Sequence, residues 1–173
     1  TEKADEALLI DYGTDNYAAV TFQNLEEPVM MGWADNWDYA GVSPTDIEGF
    51  HGKMTLARKM RLAKTEKGYR LAYTYEGLEG LKAASWKLAE GENRLRMRSF
   101  GLKVKADGVG EIIISNEAGE RISVQVTADE VIVDRNQAGQ KAFSDLYNKE
   151  SYGISRVKRV DKGVSELEII LDR

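Results

Sequence analysis

An all-β fold is the class this sequence predicts, and three observations predict it. Short runs rich in β-branched and aromatic residues recur along most of the chain, the signature of strands rather than helices. Gly, Asn and Asp punctuate those runs at the spacing of turns. The one stretch with a helical claim, residues 76–88, sets Gly77 and Gly80 among Leu78, Leu81 and Leu88. It admits at most a short helix or an irregular connector.

In chain order, the expected strands are residues 7–12, 17–22, 29–33, 53–62 and 69–75. The C-terminal half adds 95–104, 111–115, 121–126, 130–134, 155–160 and 165–171. Two connections, Asn116-Glu117-Ala118-Gly119 and Asp161-Lys162-Gly163, have the residues of tight turns. Between Met97 and Phe100 the alternation slips by one, beside Gly101. A β-bulge or a change of strand is expected there. No internal repeat or low-complexity tract is evident.

The chain has 173 residues, a net charge of −5, 42% hydrophobic and 31% charged residues. That is a globular composition, suited to one ordinary domain or two small ones, and long enough to bury about 70% of its unfolded surface. No apolar run approaches the ~18 residues of a spanning helix. The absence of cysteine excludes disulfides, thiolate zinc sites and a cysteine nucleophile, and His51 is the only histidine. Charge is unevenly spread: residues 1–52 hold eleven acidic and one basic residue, residues 53–105 five and fourteen. Two units are expected, an acidic N-terminal one with a loop-rich site and a second of plainer strands, changing over between Gly52 and about Gly80. The first residue is Thr1 and the last run, residues 168–171, is apolar and strand-like. The sequence therefore reads as a piece with cut edges.

Chemistry concentrates in residues 32–52, which hold Trp33, Trp37, Tyr39, Phe50, His51 and the acids Asp35, Asp38, Asp46 and Glu48, with no Lys or Arg. Sugar recognition uses such sets: aromatic faces cover ring C–H groups while Asp and Asn bond hydroxyls. Trp33 and Trp37 serve equally well as loop anchors. Two of Asp11, Asp35, Asp38 and Asp46 could act as a glycosidase acid and nucleophile or base, but acids are too plentiful to single out a pair. Asp35-Asn36-Trp37-Asp38 lacks the ligand spacing of a calcium loop, and His51 has no Gly-x-Ser-x-Gly elbow beside it. Arg94, Arg96 and Arg98 alternate along one run, which fits a solvated face better than a nucleic-acid surface. No phosphate-binding glycine motif occurs.

Several segments together resemble a known family. They are Asp11-Tyr12-Gly13, Tyr17-Ala18-Ala19-Val20-Thr21-Phe22, Gly32-Trp33-Ala34-Asp35-Asn36-Trp37-Asp38-Tyr39-Ala40 and Gly52-Lys53-Met54-Thr55-Leu56-Ala57-Arg58. Glu66-Lys67-Gly68-Tyr69-Arg70-Leu71, Val133-Asp134-Arg135 and Leu171-Asp172-Arg173 continue the pattern. The sequence resembles glycoside hydrolase family 32, the β-fructosidases: invertases, inulinases and levanases. The resemblance implies the last part of a five-bladed β-propeller over residues 1–75, then a β-sandwich over residues 76–173, incomplete at both ends. It implies a substrate of sucrose, inulin or levan and, since two carboxylates suffice for that chemistry, no cofactor; with no metal-ligand spacing, no apolar span and no nucleic-acid surface read above, no metal, membrane or nucleic-acid partner is expected. The family's nucleophile, transition-state stabiliser and acid/base lie in Asn-Asp-Pro, Arg-Asp-Pro and Glu-Cys motifs, none of which occurs here. No catalytic residue is therefore expected in this chain. Its expected partner is the missing propeller part or another copy of itself. Asp11 matches an acidic residue that shapes the sugar pocket, and Asn36 with Trp37 matches the pocket rim; Trp33 and Tyr17 are weaker matches. Val20, Ala57 and Lys59 depart from the family's usual Gln, Pro and Glu. A stand-alone carbohydrate-binding or structural sandwich module is the alternative.

Overall fold

The computed structural model of the chain describes residues 9–44, 49–105, 108–158 and 166–172. Its first sheet contains β1 (Tyr17–Thr21), β2 (Val29–Ala34), β3 (Lys53–Met54), β4 (Arg58–Thr65) and β5 (Gly68–Tyr75). The order is β1-β2-β4-β5, all antiparallel, with β3 on the same side of β2 as β4. This is a four-stranded meander whose third strand is broken, the form of one propeller blade. Thr55 makes the break tolerable: its backbone N–H donates to the Gly32 carbonyl at 2.8 Å and its hydroxyl accepts the Gly32 N–H at 2.9 Å. The ladder's hydrogen bonds are thus replaced where regular pairing stops.

Sequence accounts for the local shapes. β1 pairs Tyr17 with Trp33 and then shifts register before Val20, and Ala18 sits at φ +49° in the irregularity. Such a bulge adds a residue to one strand and presses it towards its partner. Gly32 permits the approach, since a Cβ there would strike the Asn16 side chain and lie 3.3 Å from the Tyr17 carbonyl oxygen. β4 and β5 form a hairpin closed by Thr65, whose hydroxyl donates to the Gly68 carbonyl at 2.7 Å, with Gly68 at φ +91°.

The second half begins with the extended connector containing a 3-10 turn at Glu79–Leu81. β6 (Phe100–Lys105) pairs with β11 (Glu166–Leu171), while β7 (Gly110–Ser115), β8 (Arg121–Val126), β9 (Glu130–Gln137) and β10 (Ile154–Lys158) form an antiparallel sheet ordered β10-β9-β8-β7. One face of each sheet is less exposed: Phe100, Leu102 and Val104 on β6, Ile112 and Ile114 on β7, Val124 and Val126 on β8. Such alternation is what the facing layers of a sandwich require. The side-chain Oδ1 of Asn116 accepts the Ala118 and Glu120 N–H groups, fixing the β7–β8 turn as its sequence foretold. A short α1 (Glu150–Gly153) precedes β10.

Four expectations change. Residues 9–12 of the first expected strand are not in a sheet, and residues 7 and 8 lie outside the described residues. The run from Leu95 becomes a strand only at Phe100, so the slip between Met97 and Phe100 marks the strand's start and no bulge is needed. The 53–62 run is two strands. Burial also falls short. The chain exposes 13602 Å², against about 8,500 Å² for a compact monomer of its mass and roughly 28,000 Å² unfolded, so about half of the unfolded surface is buried rather than 70%. The Asp161-Lys162-Gly163 turn, Asp46 and Glu48 lie outside the described residues.

Candidate functional site

The loops at one end of the blade bring three of the expected sugar contacts together. Because Tyr17 stands opposite Trp33 across the β1–β2 ladder, their rings meet edge to face at 6.4 Å. Trp37, four residues on, closes against both, 5.1 Å from Trp33 and 6.3 Å from Tyr17. Edge-to-face packing leaves flat ring surface available. Trp37 is 72% exposed and Tyr17 54%, so the cluster presents a broad aromatic face to solvent. Exposed aromatic surface of this extent marks a candidate contact site.

Asn36 is brought to the same loop for a different task. Its Nδ2 donates to the Thr14 carbonyl at 2.9 Å, its Oδ1 accepts the Asp38 N–H at 3.0 Å, and its own carbonyl accepts the N–H groups of Tyr39 and Ala40. These bonds turn the chain and hold Trp37 outward. Asp11 lies with a different partner set: Oδ1 accepts the Gly13 N–H at 2.8 Å, and Oδ2 accepts from Arg58 Nη1 at 2.6 Å and from Asn16 Nδ2 at 3.1 Å. Burial alone would raise its pKa, but the Gly13 N–H, the Arg58 guanidinium and Asn16 outweigh that and hold the carboxyl below its ordinary value. It is a fixed anion, aligned by Arg58, which in turn lies 5.7 Å from the Tyr73 ring centre.

Sequence reasoning missed the clamp that braces this loop from the far half of the chain. Tyr39 is buried, donates its hydroxyl to Asp15 and meets Tyr147, Tyr152 and Phe143 edge to face at 4.9, 5.7 and 6.4 Å. Burial and then Asp15 push its phenol far above the ordinary range. Tyr152 donates to Asp38, which raises the Tyr152 phenol too. Arg135 lies over the Tyr147 ring at 4.4 Å. Asp38 and Tyr152 are 114 residues apart, so no local pattern signals their meeting; the density of Tyr and Phe in residues 143–152 was the one available hint.

Of the acids open to a catalytic-pair reading, Asp11 bonds Arg58, Asp38 accepts from Tyr152 and Asp35 Oδ1 accepts the Asn36 N–H at 2.8 Å, while Asp46 lies outside the described residues. Among the described residues no group of three or more His, Cys, Asp or Glu side chains is arranged to hold a metal. The arrangement can present an aromatic face and a locked carboxylate to a neutral ligand.

Residues 1–73 match the family described as the glycosyl hydrolases family 32 N-terminal domain. A levanbiose-producing levanase of Bacillus subtilis (strain 168) is 38% identical over 92 residues, covering 48% of this chain and 18% of the relative. A levanase of Bacillus sp. (strain L7) is 28% identical over 167 residues, covering 84% of this chain and 18% of the relative. The chain thus spans about a fifth of the length of these curated relatives. In solved structures, a family 32 β-fructofuranosidase of Bombyx mori superposes with a TM-score of 0.69 at 23% identity, covering 94% of this chain and 32% of that one. At that identity the likeness is one of fold, and the all-β blade-and-sandwich expectation agrees with it.

Proposed function

As the chain belongs to glycoside hydrolase family 32 through its first 73 residues and its levanase relatives, we propose that it is the part of a β-fructosidase that supplies one wall of the sugar pocket together with the accessory sandwich. The whole enzyme cleaves β-fructosidic bonds in sucrose, inulin or levan, with retention through a fructosyl-carboxylate intermediate that water releases. Its catalytic carboxylates stand on another segment, because none of the three family motifs that carry them occurs in this sequence. The chain's two units divide near residue 75 in this reading, which the end of β5 at Tyr75 and the extended connector after it support.

One observation carries the reading: the Tyr17–Trp33–Trp37 face is exposed beside loops pinned by Asn36 and the clamp. A face like this stacks on a furanose ring, and Asp11 with Arg58 supplies a rigid polar neighbour in the same blade. The surplus of about 5,000 Å² of exposed surface over a compact monomer also favours covering by further blades.

The test has two arms. The purified chain is expected to release no fructose from sucrose, inulin or levan. In the longer hydrolase, Trp37→Ala is expected to lower kcat/KM on the same sugars at least tenfold. Fructose release by the chain alone, or an unchanged kcat/KM, overturns the proposal.

A further inference from the structure

β5 ends the blade sheet on the opposite edge from β1 and is the longest edge strand among the described residues. It pairs with β4 without a shift of register, from Thr65 opposite Gly68 to Arg58 opposite Tyr75. Just past its end, the Glu76 N–H donates to the Ala57 carbonyl on the β4 side at 2.9 Å. Bonding direction alternates along an antiparallel ladder, so Arg70, Ala72 and Thr74 also bond towards β4, and the backbone groups of Leu71, Tyr73 and Tyr75 point away from the sheet. Among the described residues these outward groups have no backbone partner. The Tyr69 carbonyl before them accepts from Arg70 Nη1 at 2.8 Å.

Edges are ordinarily blunted by shortness, a bulge, proline or charge. β1 has two of these devices, five residues and a broken register with Ala18 at φ +49°. β5 has neither bulge nor proline, and its one charge is Arg70. The two faces of the hairpin say what could pair there. Tyr69, Leu71, Tyr73 and Tyr75 share one face with Leu62, and of these Leu62, Tyr69, Leu71 and Tyr75 are exposed. Arg70 stands on the other face with Arg61. Residues 61–70 hold four cations, Arg61, Lys64, Lys67 and Arg70, against one acid, Glu66. A second β5 is disfavoured, since it would bring the same surplus of cations to the edge. A strand alternating acidic and apolar residues meets arginine on one face and rings and leucines on the other. The chain uses this pairing itself: in β11 against β6, Glu166 and Glu168 stand opposite Lys105 and Lys103, and Leu167 and Ile169 opposite Val104 and Leu102. Lys103 Nζ lies 3.5 Å from Glu168 Oε1. The other regular edge of comparable form, β7, is two residues shorter and carries Glu111 and no cation.

We propose that the free edge of β5 is a docking site for an extended segment of a partner protein in which acidic and apolar residues alternate, added to the blade as a further strand. The proposal goes beyond the fructosidase reading and does not depend on it. The edge lies across the sheet from Tyr17, and docking is read without any hydrolysis.

The test is an amide NMR titration of the chain with an acetylated and amidated heptapeptide alternating Glu and Val, and with its Lys–Val counterpart. The Glu–Val peptide is expected to shift the amides of Leu71, Tyr73 and Tyr75 with submillimolar affinity, and Arg70→Glu to weaken it at least tenfold. Leu71→Pro is expected to abolish binding while the other β4–β5 amides stay in place, because the N–H it removes serves no ladder bond. Should Leu71→Pro fail to fold, Arg70→Glu still decides. The proposal is overturned if the Glu–Val peptide moves none of these amides up to about 1 mM, or if the Lys–Val peptide binds as tightly. It is equally overturned if a folded Leu71→Pro chain binds as the parent does, or if Arg70→Glu leaves the affinity unchanged.

Discussion

Removing the Arg58 guanidinium should destabilise the chain by about 2 kcal/mol. The pair it forms with Asp11 is intermediate in burial, with side chains 15% and 24% exposed and 2.6 Å between Nη1 and Oδ2. Breaking a fully buried pair costs about 3–5 kcal/mol and an exposed one about 0.2–1, so a value near 2 follows for this site. For a chain of this size that lowers Tm by about 4–8 °C. Arg58→Met keeps the stem and removes the charge; Asp11→Asn keeps an acceptor for the Gly13 N–H and removes the negative charge. A double-mutant cycle, followed by urea unfolding, should give a coupling energy of about 1–2 kcal/mol. The pH dependence has a definite sign. Asp11 is held below its ordinary pKa, so its contribution is complete above the unfolded value near 3.9 and fades as pH falls through the folded value. The stability gap between the parent chain and Asp11→Asn should therefore be largest at neutral pH and shrink in acid. A coupling below about 0.3 kcal/mol, within ordinary additivity, or a gap that widens in acid, would refute the reasoning.

Other consequences concern the loop and its clamp. Tyr39→Phe leaves Asp15 without its buried donor and should cost about 1–3 kcal/mol by thermal unfolding. Because the Tyr39 phenol is pushed far up by burial and Asp15, its stabilisation is complete below pH 10 and lost only as pH rises through the higher folded value; the phenolate absorbance of the parent and of Tyr39→Phe should match through pH 10. Gly52→Ala places a Cβ against the Trp33 indole and Asp35 at φ +68°, and should destabilise the chain by at least ~1 kcal/mol with a change in tryptophan emission. Trp37→Ala removes a side chain that is 72% exposed and should shift stability by no more than ~0.5 kcal/mol, which separates its role in sugar contact from one in folding. Tyr152→Phe should speed hydrogen exchange at the amides of residues 38–40 while leaving β7 and β8 protected.

Strands with a partner nearby in sequence were the readable part of the fold. The β4–β5 and β7–β8 hairpins announce themselves through alternation flanking Glu66-Lys67-Gly68 and Asn116–Gly119, because register and turn are set by adjacent residues. Residues 9–12 and 95–99 have similar alternation yet pair with nothing in a sheet, since a strand needs a neighbour that composition does not reveal. Within the site, Trp33 and Trp37 were legible as aromatic residues of one loop, whereas Tyr17 entered only through the family resemblance, as a weaker match; the β1–β2 register sets it against Trp33. Asn36 and Asp11 were legible as polar contacts, whereas their observed bonds shape the loop and hold Arg58. Arg58, Tyr147 and Tyr152 reach the site from 47 to 114 residues away along the chain from their partners Asp11, Tyr39 and Asp38; only the folded topology brings them there.

The central claim is that this chain is one part of a β-fructosidase whose reacting carboxylates are carried by another segment. Sequencing the gene on the upstream side of the Thr1 codon tests it most directly. The account predicts an open frame encoding Asn-Asp-Pro, Arg-Asp-Pro and Glu-Cys motifs in that order. A frame whose translation starts at or beside Thr1 would contradict it, and the chain's aromatic face would then belong to a binding module rather than to a hydrolase.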